Sequence, residues 1–169
     1  HEMAVTARGL AKAAELLAGQ FTLVATNVPY LGRSKQEDVL KDYCDRVHSE
    51  AKANLATSFI ERCLEFCSPG GTATSVTPHD WLFLGTYKKV RRRLLQENQW
   101  NMVVQLGPNA FQDMNWWAAK TSMVVLGKSA PLRAHHISGL DLGQDHTPSD
   151  KAFSIQGRQV VTVSQDQQI

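Results

Sequence analysis

The stretch Phe21-Thr22-Leu23-Val24-Ala25-Thr26-Asn27-Val28-Pro29-Tyr30 decides the fold class that we predict for this chain. Residues 21–25 are apolar and β-rich, which is typical of a buried strand, and the polar turn that begins at Asn27 ends it. Apolar residues at helical spacing before this stretch predict a helix that ends near Ala18, with Gly19 in the position of a C-cap glycine. The pattern is therefore a helix, a buried strand and a loop at the carboxyl end of that strand.

A second unit of helix and strand follows this loop. Residues 49–67 carry apolar side chains at steps of three and four, which predicts a helix. The sequence Ser68-Pro69-Gly70-Gly71 ends that helix. Residues 72–77 then predict a strand that Pro78 closes.

The next predicted elements are one helix and two strands. Residues 100–106 and 121–126 are β-rich and can pair as a hairpin. Beyond Lys128 the sequence becomes polar and loses a clear period, so residues 129–169 are expected to be a loop-rich tail with one more strand at 159–163. The helix before the hairpin is marked by apolar residues on one face, which are Tyr87, Val90, Leu94 and Leu95.

This order of elements predicts an α/β fold with a mostly parallel sheet and helices on its faces. Ligands of such sheets bind beyond the carboxyl ends of the strands. Asn27-Val28-Pro29-Tyr30 follows such an end, so it is the first place to look for a functional site.

Composition leaves the partner of the protein open. The 169 residues are 43% hydrophobic, which is enough for a buried core in one domain, and the net charge of +2 neither indicates nor excludes a nucleic-acid binder. Three cysteines, Cys44, Cys63 and Cys67, predict free and buried thiols. The sequence has no apolar run long enough to cross a membrane and no secretory leader, so we expect a cytoplasmic protein.

The tetrapeptide suits the chemistry of an exocyclic adenine amine. That amine is a poor nucleophile because its lone pair is delocalised into the ring, and two acceptors aimed at its N–H bonds would oppose the delocalisation. The side-chain oxygen of Asn27 and the backbone carbonyl of Val28 are two such acceptors. Pro29 restrains Val28, and Tyr30 offers a flat face on which an extruded base can stack.

Asn27-Val28-Pro29-Tyr30 resembles the Asn-Pro-Pro-Tyr motif of amino-methyltransferases, and four later segments extend the likeness. Together they are similar, in order, to the large single-chain adenine-N6 DNA methyltransferases of restriction-modification and BREX-type phage-defence systems. The likeness covers roughly residues 16–126 and is specific as a series. The later segments are Phe59-Ile60-Glu61-Arg62-Cys63, Pro69-Gly70-Gly71, Thr77-Pro78-His79-Asp80-Trp81-Leu82-Phe83-Leu84 and Leu106-Gly107-Pro108-Asn109-Ala110-Phe111.

The resemblance implies a Rossmann-like methyltransferase fold in which this chain carries strands four to seven with flanking helices. Residues 1–128 would be part of the catalytic domain, and residues 129–169 would lead toward a target-recognition region. S-adenosylmethionine would be the cofactor, DNA the partner, and Asn27 the one cofactor-binding residue in the chain. Phe111 would wall the adenine pocket opposite Tyr30.

Three departures from the family pattern and one missing motif qualify this expectation. Trp116 and Trp117 stand in a segment that is usually more polar in the family. Val28 replaces the first proline of the motif, which keeps the carbonyl and can loosen it, and Asn54 stands where the family pattern has aspartate. No glycine-rich loop follows an early strand, so the main S-adenosylmethionine motif is expected upstream and the fragment alone is expected to be inactive. The edge of strand 21–25 would then lack a neighbour, which predicts self-association or pairing with another chain.

Each signal also has an ordinary structural interpretation. Asn and Pro are common in β-turns, and Phe111 fits a core position as well as a pocket wall. The basic run at residues 88–93 suits phosphate contacts, although on a predicted helix such a run is more often a solvated face. Trp116 and Trp117 suit either stacking on DNA or core packing. The tail residues His135, His136, Asp141, Asp145 and His146 match no compact pattern of metal ligands, so we expect no metal site.

Two other functions stay open on the sequence. A protein glutamine amide or an RNA base presents the same kind of planar amino group, although the flanking segments disfavour both. A non-catalytic interaction module is the other alternative, and Val28 and the missing cofactor loop are the features that favour it.

Overall fold

The structure, a computed structural model, describes residues 2–111 and 120–169, which form five α-helices and six strands. Short 3₁₀ turns connect several of them, including His79–Leu82 and Gly85–Tyr87. The helices are α1 (Glu2–Ala18), α2 (Asp38–Val47), α3 (Leu55–Phe66), α4 (Lys88–Glu97) and α5 (Pro148–Ser154). The strands are β1 (Phe21–Asn27), β2 (Cys67–Pro78), β3 (Gln99–Gly107), β4 (Thr121–Gly127), β5 (His136–Asp141) and β6 (Val161–Ser164).

The strands form one sheet in the order β1-β2-β4-β3-β5-β6. β1 is parallel to β2 and β3 is parallel to β5, whereas β4 and β6 run antiparallel to their neighbours. The α/β class and the β3–β4 hairpin predicted from the sequence are therefore confirmed. The ends of β1, β2, β3 and β5 lie with the start of β4 along one side of the sheet, which we call the carboxyl edge.

The main core lies between the sheet and the helices α3 and α4. Ile60 of α3 and Leu94 of α4 are both 1% exposed and share one apolar cluster with Val124 and Leu126 of β4. Packing of both helices on one face fixes where their ends lie relative to the carboxyl edge. A smaller cluster holds β3 against β5 and the residues after it, and it consists of Val104, Leu140 and Leu142.

The three cysteines are free and buried, as the sequence predicts. Burial raises the pKa of both the Cys63 and the Cys67 thiols. They are packing residues of the core rather than reactive groups. None of the described helices is long and apolar enough to span a bilayer.

Two predictions about the first half of the chain are wrong. β1 is not a buried strand, because Leu23 at its centre is 60% exposed, although its edge position, with β2 as its one neighbour among the described residues, agrees with the missing neighbour expected for residues 21–25. The helix predicted over residues 49–67 begins only at Leu55, because the Asn54 side chain caps it, while a separate helix, α2, precedes it. The helix α2 is short, and its N-cap residue Glu37 makes no side-chain hydrogen bond to the first turn. The sequence therefore lacks a strong signal for the start of this helix.

The expected loop-rich character of residues 129–169 is also wrong. β5 pairs with β3 and β6 pairs with β5, so this segment extends the sheet. A capping box between Thr147 and Asp150 starts α5. The strand predicted at 159–163 is confirmed by β6, whereas β5 was not predicted, because its sequence His-Ile-Ser-Gly-Leu-Asp includes a glycine and few β-branched residues. That the segment leads toward a target-recognition region stays a prediction.

Candidate active site at the carboxyl edge of the sheet

Asn27 and Val28 lie where β1 leaves the sheet. Val28 is 3% exposed and its N–H donates to the Val76 carbonyl of β2 at 3.2 Å, so the backbone of this residue is fixed. Asn27 is exposed, and its side chain makes no hydrogen bond with any residue that the structure describes. The two acceptors predicted from the sequence are therefore adjacent, one on a free side chain and one on a held backbone.

The loop after the tetrapeptide is clamped to the start of α3. The Oδ1 atom of Asn54 accepts from the Leu31 N–H at 3.2 Å and from the Ala56 N–H at 3.0 Å, which makes it both a loop contact and the helix N-cap. The Leu31 carbonyl accepts from the Leu55 N–H at 2.9 Å and from Nε2 of Gln36 at 3.2 Å. Asn54 therefore does structurally what an aspartate could do, because only an acceptor oxygen is used.

Tyr30 and Phe111 lie beyond two different strands of the carboxyl edge. Tyr30 is 38% exposed and follows β1, and Phe111 is 40% exposed and follows β3. Three strand spacings of about 4.8 Å separate these strands in the sheet order, about 14 Å in all. Burial raises the pKa of Tyr30 to about 12, so its phenol is neutral at physiological pH. That the two rings face each other across a bound base stays a prediction.

Gly107 fixes the base of the loop that carries Phe111. It has a positive φ of 72°, and a Cβ at this position would lie 2.8 Å from the Cα of Gly143, in the turn that follows β5. The Thr121 hydroxyl of β4 donates to the Gly107 carbonyl at 3.3 Å. The Phe111 loop therefore starts from a backbone-to-backbone contact that only glycine permits. Trp116 and Trp117 lie outside the described residues.

No role is predicted for His79 from the sequence, yet the topology places it between the predicted walls of the pocket. β2 and β4 lie between β1 and β3, and His79 directly follows β2. The imidazole Nδ1 lies 2.6 Å from the Ser122 hydroxyl, and the backbone N–H of His79 donates to the Lys120 carbonyl at 2.9 Å. Burial lowers the pKa of the imidazole, Lys120 lowers it further, and Asp80 and Asp141 oppose the shift. His79 could be found only from the order of the strands in the sheet, which cannot be deduced from the sequence.

The basic run on α4 divides into two groups. Arg93 is ion-paired with three carboxylates, and Arg91 donates to the carbonyls of Trp81 and Leu84 at 2.8 and 3.2 Å. Lys88, Lys89 and Arg92 are exposed and have no carboxylate partner within the described part of the chain. The first turn of α4 contains no acidic residue.

The tail histidines and aspartates do not converge. Nε2 of His135 lies 3.1 Å from the Trp100 carbonyl, and Asp145 is paired with Arg158 at 2.7 Å. No cluster of three or more metal-ligating side chains occurs within residues 2–111 and 120–169.

Comparison with known proteins gives a family and a fold. The family model described as Eco57I restriction-modification methylase matches residues 4–111. The adenine-specific methyltransferase PglX of Lacticaseibacillus casei (strain Zhang) is 28% identical over 123 residues, which are 72% of this chain and 10% of that protein. The chain spans about a tenth of the length of the curated relatives that it matches.

Two solved structures resemble the fold at low sequence identity. The DrdV–DNA complex has a TM-score of 0.72 and 13% identity, and the match covers 95% of this chain and 19% of that one. A Listeria monocytogenes protein assigned to the class I S-adenosylmethionine-dependent methyltransferases has a TM-score of 0.57 and 17% identity, over 83% of this chain and 42% of that one. The Rossmann-like methyltransferase fold predicted from the resemblance is confirmed.

Proposed function

Because this chain belongs to the Eco57I restriction-modification methylase family, we propose that the protein transfers a methyl group from S-adenosylmethionine to the N6 amine of adenine in DNA. The observation that carries the proposal is the pair of unsatisfied acceptors at the end of β1. Asn27 offers a free side-chain oxygen, and Val28 offers a carbonyl on a backbone that is held in place. Restriction-modification or phage defence is the setting in which such an enzyme would act.

The chain's own residues would activate and hold the base. Hydrogen bonds from the two N6 protons to Asn27 and to the Val28 carbonyl keep the nitrogen lone pair out of conjugation and stabilise the positive charge that develops on nitrogen. The nitrogen then forms a bond to the methyl carbon while the carbon–sulfur bond breaks and sulfur keeps the electron pair. One N6 proton leaves afterwards to solvent. Tyr30 and Phe111 would stack on the extruded adenine, and Pro29 would restrain the Val28 carbonyl.

S-adenosylmethionine supplies the electrophilic methyl group in this reaction. Among the described residues, Asn27 is the one that we place against it, because the side chain is exposed and unpaired at the sheet edge where ligands of such folds bind. The donor set fits this use, since an amide presents both an acceptor and two donors.

The exposed cations of α4 would contact DNA phosphates next to the base site. β2 ends at the carboxyl edge and α4 runs from that edge back to the start of β3, so Lys88 and Lys89 lie on the same side of the sheet as the tetrapeptide. Cations at the positive end of a helix disfavour folding, and a polyanionic partner would relieve that repulsion. The DNA-bound state of the similar DrdV structure supports the same partner.

We also propose that the isolated chain self-associates through β1. Its outer edge has no strand partner within residues 2–111 and 120–169, and its apolar side chains and those of α1 are exposed. A second copy of the same edge offers both the backbone groups and the apolar surface that this strand lacks.

The proposed reaction is tested by transfer of labelled methyl from S-adenosylmethionine to unmethylated DNA. The full-length gene product is expected to label adenine N6, identified by mass spectrometry of the digested DNA. Asn27→Ala should reduce the rate by on the order of a hundredfold, as is usual when one charge-stabilising group is lost. Asn101→Ala, a matched change on β3, should leave the rate unchanged.

Other outcomes of the same assay would overturn the proposal. Label in glutamine of a protein substrate, or in RNA but not in DNA, would assign a different acceptor to the same site. A folded full-length protein that labels none of the three would favour a non-catalytic interaction module.

A further inference from the structure

The register between β1 and β2 leaves one backbone acceptor without a donor. The two strands are parallel, and Asn27 lies opposite Val76, so Val28 lies opposite Thr77. In a parallel ladder, a bonded residue donates to the residue before its opposite and accepts from the residue after it. The first of these bonds is present, from the Val28 N–H to the Val76 carbonyl at 3.2 Å. The second would need an N–H at residue 78, which is proline.

The pairing of β2 with β4 shows independently which way residue 78 faces. Pro78 lies opposite Thr121, and one step on, the His79 N–H donates to the Lys120 carbonyl at 2.9 Å. Bonded and non-bonded pairs alternate in an antiparallel ladder, so Pro78 and Thr121 are a non-bonded pair. The backbone nitrogen of residue 78 is therefore directed toward β1 and not toward β4.

The missing N–H thus falls at the Val28 carbonyl. No other group in the described chain donates to that carbonyl. Proline is unusual in a strand that has neighbours on both sides, and β2 lies between β1 and β4. A buried residue whose carbonyl lacks a partner disfavours folding, so such a position is expected where a function uses the free acceptor.

We infer that Pro78 is a positioning residue for methyl transfer: it keeps the Val28 carbonyl unpaired, so that this carbonyl accepts a hydrogen bond from the amine of the substrate base. The inference rests on the proposed function for the identity of the substrate. The vacancy itself rests only on the strand register. A proline that merely terminated β2 would have no bearing on the acceptor in the neighbouring strand.

The test replaces Pro78 with residues that restore the N–H. In Pro78→Ala and Pro78→Val, the new amide is expected to donate to the Val28 carbonyl. Nuclear magnetic resonance of the 169-residue chain should then show slow hydrogen exchange at residue 78 and a scalar coupling from its nitrogen to the Val28 carbonyl carbon. The midpoint of urea unfolding should be equal to or higher than that of the wild type. Two different side chains separate the effect of the restored N–H from that of the particular side chain introduced.

The activity of the full-length gene product should move in the opposite direction. Both variants are expected to lower kcat by on the order of tenfold to a hundredfold, with KM for DNA nearly unchanged because the stacking residues are untouched. A freely exchanging amide at residue 78 would overturn the inference, and so would a protected amide with unchanged kcat. Failure of the proposed function can be told apart from failure of this inference. In the first case the wild-type protein transfers no methyl group, while hydrogen exchange at residue 78 still shows whether the Val28 carbonyl is unpaired.

Discussion

Asn54 connects the loop of the candidate site to α3 through one side-chain oxygen. Asn54→Ala removes the acceptor for two backbone N–H groups and is expected to lower the free energy of unfolding by about 1–2 kcal/mol. Asn54→Asp keeps the acceptor and adds a charge that the N-terminus of α3 favours, so its stability should equal or exceed that of the wild type. Urea unfolding of the chain measures both variants. An aspartate variant as unstable as the alanine variant would contradict the assigned role.

The residues of the site were only partly predictable. The tetrapeptide was visible because its chemistry is local, whereas the contribution of Asn54 depends on a loop 23 residues away in the chain. The sequence marked position 54 only as a departure from the family pattern, and a departure does not reveal which atoms are bonded. The roles of Asn27, Val28, Tyr30 and Phe111 in catalysis stay predictions.

The exposed basic end of α4 is expected to contribute to DNA affinity. Lys89→Glu should weaken binding of the full-length gene product to duplex DNA by about 3–10-fold near 0.1 M salt and reduce the slope of log affinity against log salt by about 1. Fluorescence anisotropy at several salt concentrations measures both quantities.

Arg133→Glu is the matched control, because it changes the charge equally at an exposed position between β4 and β5, on the opposite side of the sheet. Equal losses for the two variants would mean that only net charge matters. The division of the α4 cations was not readable from the sequence. Spacing shows which side chains share a helix face, but the partners of Arg91 and Arg93 come from other segments.

For the molecule as a whole, β1 predicts concentration-dependent association of the isolated chain. Leu23→Lys, at the exposed centre of β1, is expected to convert dimers or larger species at about 0.1 mM to monomers, since a lysine on an edge strand opposes pairing. Light scattering coupled to size-exclusion chromatography measures the mass. Leu132→Lys places the same change in an exposed loop position and should have no effect. A wild-type chain that is monomeric at this concentration would refute the proposal.

Strand order was the least predictable property of the fold. Periodicity located five of the six strands and the hairpin, because those signals are local. It could not place β4 between β2 and β3, or pair β5 with β3, because these neighbours depend on tertiary packing. His79 and Pro78 acquire their significance only from that order.

The close approach of Gly107 and Gly143 couples two loops directly. The turn after β5 and the loop that carries Phe111 touch through backbone atoms, with no flexible side chain between them to absorb a displacement. A force applied to the segment after β5 is therefore transmitted to the start of the aromatic loop. A partner that binds to or pulls on that segment would therefore act on the geometry of the proposed adenine pocket.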